Sequence, residues 1–212
     1  SRNYNGDPLQ RIVFVDSHDS AANGSSRLNE VIAPGQAVEH FARQQSLLAA
    51  TLLLTVPGIP MLLQGQEFVM YGNFNDWEGL DWENAEKYKG IVDAYTDLIS
   101  LRRNLKGWSA GLTGRSINVF HIDDANKVVA YHRWQNGGHH DDVIVIINFG
   151  EHTITDYKMG FPINGKWKVR FNSNEKQYSH DFAGTDVKDF EVKDNTGFFT
   201  LPASTAIILS HE

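Results

Sequence analysis

The hydrophobic pattern of this 212-residue chain changes period once, close to Gly107. Before that point, apolar runs alternate with helical repeats; after it, short segments alternate apolar and polar residues between turn sequences. One regular architecture does not accommodate both patterns. The chain is therefore predicted to have an α/β part over residues 1–106 and an all-β part over residues 107–212.

In the first part, RIVFVD at residues 11–16 reads as a strand covered on both faces. Residues 37–56 read as a helix, amphipathic at first through Val38, Phe41 and Ala42, then apolar nearly all round until Pro57 and Gly58 stop it. IPMLLQ at residues 59–64 reads as a second buried strand. Tyr88, Ile91, Val92, Tyr95, Leu98 and Ile99 then fall on one face of a second helix, with Arg102 and Arg103 in its last turn, where they complement the helix dipole.

The connections of this βαβα unit are unequal. The loops that leave its strands, SHDSAANGSSRLNEVIAPG and GQEFVMYGNFNDWEGLDWE, are each about 18 residues, whereas short connections are the norm in compact α/β units. The helix-to-strand connection is the dipeptide Pro57-Gly58. Parallel α/β folds place ligands at the carboxyl ends of their strands, so the two long loops are predicted to lie side by side on one functional face. Two strands leave both sheet edges unpaired, and the unit reads as the end of something larger. The SRNYNGDPLQ start has no apolar h-region and reads as a processed end or a cut within a longer chain.

In the second part, SINVFHI, KVVAYHRW, DVIVIINF, KWKVRFN, FEVKD and TAIILS read as strands separated by DDAN, GG, PING and DNTG turns, an antiparallel β-sandwich. Gly107, Gly111 and Gly114 mark the boundary. Composition removes several functions. With no cysteine, disulfides, thiolate metal sites and a cysteine nucleophile are excluded. Nineteen Lys and Arg against 26 Asp and Glu, a net charge of −7, argue against a nucleic-acid partner. The longest apolar stretch, residues 47–63, is broken by Pro57, Gly58 and Pro60 and does not suit a membrane span. His139, His140, Asp141 and Asp142 lack ligand spacing and read as a solvated loop, not a metal site.

VDSHDS at residues 15–20, then TVPGIPMLLQGQEF and YTDLISLRR, resemble the end of the catalytic barrel of the α-amylase superfamily, of the glycoside hydrolase family 13 type. NFGEHTITDYKMGFPINGKWKVRFNSNEKQYSHDFAG is similar to the carboxyl-terminal domain of 1,4-α-glucan branching enzymes and their bacterial relatives, and LPASTAIILS to its last strand. The resemblance implies that residues 11–16 and 59–64 are the seventh and eighth strands of a (β/α)8 barrel. By it, His18 hydrogen-bonds sugar hydroxyls and Asp19 is the carboxylate that stabilises the transition state. The implied partner is an α-glucan (glycogen, starch or a maltooligosaccharide), cleaved or transferred with retention. No cofactor is implied, and the location implied is cytoplasmic.

The nucleophile and acid/base carboxylates of that family come from the fourth and fifth strands, which are not among these residues. The resemblance thus implies a second partner, the rest of the barrel, and no activity for this chain alone. SAANGSSRLNE departs from the usual continuation after His-Asp, which bears on acceptor choice.

Tyr71, Trp77 and Trp82, with Phe74, lie in the second long loop and either stack on glucose rings or close the loop onto the rim. By the resemblance Glu67 anchors its loop; Arg27 reads as a surface residue, and Asp16 and Asp19 as pointing apart. A rival reading takes the β part as a carbohydrate-binding module, with Trp108, Trp134 and Trp167 as a stacking platform unless they are core.

Overall fold

The computed structural model describes residues 5–212, so the first four residues of the SRNYNGDPLQ start lie outside the described residues. The α/β part contains a two-stranded parallel pair, β1 (Ile12–Val13) and β2 (Ile59–Pro60), in which Ile12 is paired with Ile59 and Val13 with Pro60. Its helices are α1 (Leu28–Ile32), α2 (His40–Thr55), α3 (Glu83–Lys87) and α4 (Lys89–Arg102). The β part has a six-stranded antiparallel sheet and a two-stranded antiparallel ribbon. The sheet comprises β3 (Ser116–Asp123), β4 (Val128–Trp134), β5 (Val143–Asn148), β7 (Gly165–Asn172), β8 (Phe190–Val192) and β10 (Thr205–His211), in the order β3-β4-β5-β10-β7-β8. The ribbon pairs β6 (Ile154–Gly160) with β9 (Thr196–Leu201).

The six period-two segments of the sequence are the six strands of the larger sheet. The ribbon is the addition made by the structure. β6 lacks a clean alternation because Asp156 sits in the left-handed region and the register shifts between Ile154 and Tyr157. β9 follows a tight turn in which Asp194 and Asn195 both have positive φ, the geometry that lets strands double back directly.

The central strands β5 and β10 are buried on both faces, whereas the edge strand β3 is partly exposed. Val143, Val145 and Ile147 of β5 and Ala206 and Ile208 of β10 pack with Leu47, Leu54, Ile91 and Leu98 of α2 and α4. The intervening Ile144, Ile146, Ile207 and Leu209 pack with Tyr157, Met159, Phe199 and Leu201 of the ribbon. Each side chain of this size contributes roughly 1.5–3 kcal/mol when fully buried. The first of these clusters draws on both sides of residue 106, so helices and sheet share one core.

RIVFVD differs from expectation: its regular pairing is limited to Ile12 and Val13, and Ile12 and Ile59 are 59% and 55% exposed. A pair of strands with no third neighbour among the described residues gives these side chains no layer to enter. The first long loop is likewise not wholly irregular, because it contains α1. The carboxylate of Asp16 accepts from the Leu28 N–H at 2.9 Å and supports that short helix at its first turn. α2 begins at His40, and Phe41, expected on its buried face, is exposed. Its second half is buried nearly all round, as its sequence implies. Gly58 ends the connection with φ +145°, and a Cβ there would lie 2.8 Å from the Val13 side chain.

Arg102 serves a neighbouring helix. Its guanidinium donates to the carbonyls of Leu54, Val56 and Gly58 at the carboxyl end of α2. Arg133 of β4, fully buried, reaches the same end by donating to Thr55 O, and also to Ser116 O at 2.8 Å, Gly114 O at 2.6 Å and Leu112 O at 3.3 Å. Two cations therefore meet the negative end of the α2 dipole where helix and sheet join.

The His-His-Asp-Asp hairpin is only partly solvated. Asp141 and Asp142 are buried. Asp141 accepts from the N–H groups of Gln135, Asn136 and Gly137, and Asp142 accepts from Gly138 N–H and faces His132 Nε2 at 2.8 Å. The hairpin turns through positive φ at Gly137, Gly138 and His140, which leaves donors pointing inward that the two carboxylates satisfy.

Candidate functional site

The two long loops leave the carboxyl ends of β1 and β2 and are tied to each other by backbone. Arg27 N–H donates to Gly72 O at 2.8 Å, and Phe74 N–H to Ala21 O at 2.6 Å. The Ser26 hydroxyl adds a 3.1 Å bond to the Asn73 side chain. The expectation that these loops share one face is met.

Asp16 ends the RIVFVD segment, three residues after β1, and is buried. Its Oδ1 accepts from Ser17 N–H at 3.1 Å and from the Ser20 hydroxyl at 2.9 Å. These bonds, with the one to α1, fix the turn that carries His18 and Asp19 while occupying Asp16 itself. Asp19 is exposed, which separates the two carboxylates as strand alternation suggests. His18 Nε2 lies 3.3 Å from Asp19 Oδ1.

Between the loops is an open cleft of about 410 Å³ whose lining includes Ser17, His18, Leu63, Gln64, Glu67, Phe74 and Asp76. His18 is the sequence-designated residue that enters it, with its ring 6.0 Å from the Phe74 ring. Asp19 adjoins the cleft through His18. Tyr71 is exposed outside the cleft, Trp77 is 95% exposed, and Trp82 is exposed but packs against Phe68 in a tilted arrangement, ring centroids 5.4 Å apart. Thus Phe74 is the aromatic residue in position to meet a ligand in the cleft. In the sequence it carries the same aromatic signal as its neighbours; the two backbone bonds between the loops are what select it.

Arg27 is not a surface residue: it is 4% exposed and donates to Gln64 O at 2.8 Å, which pins the cleft wall. Burial pulls its guanidinium below the usual range, and the Asp16 and Glu67 carboxylates oppose that pull. Loop anchoring falls to Gln66, which is buried and donates to the Tyr95 hydroxyl of α4 at 3.0 Å, leaving Glu67 half-buried in the cleft lining. Burial raises the Tyr95 hydroxyl, so it remains protonated at any ordinary pH.

The β part matches the family described as "Alpha amylase, C-terminal all-beta domain" over residues 120–212.

Homology to α-amylase-superfamily enzymes continues upstream of that domain. The chain is 29% identical over 213 aligned positions to the 1,4-alpha-glucan branching enzyme GlgB of Prochlorococcus marinus strain MIT 9515, covering 96% of this chain and 28% of that protein. It is 26% identical to the enzyme of the same name from Synechococcus sp. strain RCC307, covering 96% and 27%. The fold is that of a pullulanase from Anoxybacillus sp. LM18-11 solved with maltotetraose, with TM-score 0.66, 20% identity and coverage of 97% of this chain and 28% of the other. An α-amylase from H. orenii gives TM-score 0.61 at 19% identity, covering 96% and 40%. The chain thus spans less than a third of the length of its curated relatives and corresponds to their carboxyl-terminal portion. On that correspondence β1, β2 and the helices match the end of the barrel, and the six-stranded sheet matches the amylase β domain.

Proposed function

We propose that this chain supplies part of the α-glucan site of a branching-enzyme-like member of the α-amylase superfamily. The observation that carries the reading is the position of His18, lining a cleft at the carboxyl ends of two parallel strands between two loops tied by backbone bonds.

In this reading residues 1–106 are the last strands and helices of a (β/α)8 barrel and residues 107–212 the domain that packs on it. The exposed faces of Ile12, Phe14 and Ile59 are those that further barrel strands would cover, so the remaining barrel is the first partner. The second is an α-glucan such as glycogen, starch or a maltooligosaccharide. A cytoplasmic setting follows from the branching-enzyme likeness; no described helix is long and apolar enough to cross a membrane.

The chemistry assigned to these residues is support of the transition state. His18 donates to a ring hydroxyl. Asp19 accepts from hydroxyls of the same sugar, and those bonds strengthen as positive charge develops on the ring, which lowers the barrier more than it tightens ground-state binding. Phe74 offers an apolar face to a pyranose, and Glu67 and Asp76 offer acceptors along the cleft. The bond-breaking carboxylate pair, about 5 Å apart in retaining enzymes, is assigned to the rest of the barrel.

The rival reading, a binding module with a tryptophan platform, lacks its platform among the described residues. Trp167 is fully buried, Trp134 is stacked on His132 at 4.6 Å, and the Arg170 guanidinium covers Trp108 at 4.3 Å. Amylose assays test the proposal. The chain alone is expected to give neither new reducing ends nor a change in iodine-stained absorbance. In the full-length enzyme, Asp19→Asn is expected to lower turnover by roughly three orders of magnitude, about 4 kcal/mol of transition-state stabilisation, with the fold unchanged. Near-normal turnover of that variant removes Asp19 from the site.

A further inference from the structure

A second cleft of about 510 Å³ lies where the amino end of α2 and the α3–α4 corner face residues 176–180 of the β domain, and it shares no lining residue with the His18 cleft. We propose that it binds a phosphorylated sugar.

The charge distribution is the first reason. The chain carries −7 overall, yet Arg43, Lys87 and Lys176 converge on this cleft, with His180 beside them and Glu39 as the acidic residue in the lining. Lys87 approaches from the helical wall and Lys176 from the β-domain wall. Among the described residues neither lysine forms an ion pair. Lys87 Nζ lies 5.0 Å from the Tyr88 ring centroid, and the Arg43 guanidinium lies 5.6 Å from the same centroid. Two cations therefore approach one ring; Tyr88 raises the Lys87 ammonium above its usual range, and repulsion from Arg43, itself paired with Asp181, opposes this less strongly. A phosphate monoester, close to dianionic at neutral pH, would bridge Lys87 and Lys176 and relieve that repulsion.

Shape is the second reason. The cleft lies within the roughly 300–1,000 Å³ typical of small-molecule sites, larger than a phosphate group alone fills. The Glu39 carboxylate, the Gln177 carbonyl and the Ser179 hydroxyl oxygen, whose own proton goes to Asp181, are acceptors suited to sugar hydroxyls. The walls are set close together by Gly90, where a Cβ would lie 2.4 Å from Tyr178 O. That contact joins helix to β domain, so a ligand seated beside it touches both parts and would stabilise their packing.

Thermal melts of the chain test the idea with glucose 1-phosphate, inorganic phosphate, glucose, and sodium chloride at matched ionic strength. Glucose 1-phosphate is expected to raise Tm by about 5 °C at roughly 100 times its Kd, phosphate by less, and glucose not at all. Lys87→Glu/Lys176→Glu, both sites exposed, is expected to keep the far-UV spectrum and ligand-free Tm while losing the response. A response no larger than that to sodium chloride overturns the proposal, as does one that survives in the double variant. Equal responses to phosphate and glucose 1-phosphate overturn the sugar half and leave an anion site. These outcomes are independent of the amylose assays above.

Discussion

Replacing Arg133 by Met tests how the helical and β parts are joined. The guanidinium donates to four carbonyls, those of Thr55, Leu112, Gly114 and Ser116, and is wholly buried. Charge-assisted bonds of this kind contribute roughly 1.5–3 kcal/mol each, and each carbonyl left unpaired costs a similar amount. Against this stands the cost of burying the cation. Burial, with repulsion from Arg102 and partial compensation by Tyr131, pushes the Arg133 guanidinium down to about 10, which corresponds to about 3 kcal/mol. The side chain remains cationic at neutral pH. The balance is a net loss of about 4 kcal/mol for Arg133→Met, which fills similar volume but donates nothing. For a chain of this size that lowers Tm by about 8–16 °C. Urea and thermal unfolding followed by far-UV circular dichroism measure it, and Arg133→Lys, which keeps the charge with fewer aimed donors, should fall between the two. A loss under about 1 kcal/mol for Arg133→Met would refute the reasoning, because the carbonyls would then be no worse off without their cation.

Gly90→Ala sets helix propensity against packing: Ala is favoured in a helix interior by about 1 kcal/mol, yet its Cβ would lie 2.4 Å from Tyr178 O and 2.6 Å from Gln177 O. The expected result in denaturant melts is a net destabilisation of about 1–3 kcal/mol, and a more stable variant would contradict the close approach. Burial pushes the Asp181 carboxyl up, but the Ser179 hydroxyl, the Arg43 guanidinium and His40 outweigh it and hold the group at about 2. Since this lies below the unfolded value of 3.8, the stabilisation is present above about pH 4 and is lost as pH falls toward 2. With the carboxylate a third exposed, Asp181→Asn is expected to cost about 1 kcal/mol at pH 7 and almost nothing at pH 2, compared in urea titrations at both values.

The period change near Gly107 is visible in the sequence, and in the structure α4 ends at Arg102 and β3 of the six-stranded sheet begins at Ser116. The six alternating segments became the six strands of that sheet because alternation is a local property that each strand carries for itself. The assignment of doubly covered strands went the other way. RIVFVD and DVIVIIN are equally apolar, and periodicity does not say which will find a layer on each side. β5 found helices on one face and the ribbon on the other; β1 found one partner strand and solvent. The ribbon itself was hidden because positive φ at Asp156 and the register shift beside it break the alternation of β6, and Gly197 occupies one of the inward positions of β9.

For the site, the sequence by itself determined the chemistry available: a Ser-His-Asp turn after one strand, an aromatic-rich loop after the next, and long connections at the ends where α/β folds bind ligands. It also determined the two long helices, α2 and α4, whose apolar spacing repeats within a few turns. What only the tertiary structure decided is which of those groups meet. Phe74, not Trp77, stands beside His18, Arg27 is inside, and Arg102 and Arg133 close the end of a helix to which neither belongs. These outcomes rest on hydrogen bonds and burial between segments far apart in the chain, and such partners exist only once the layers have packed.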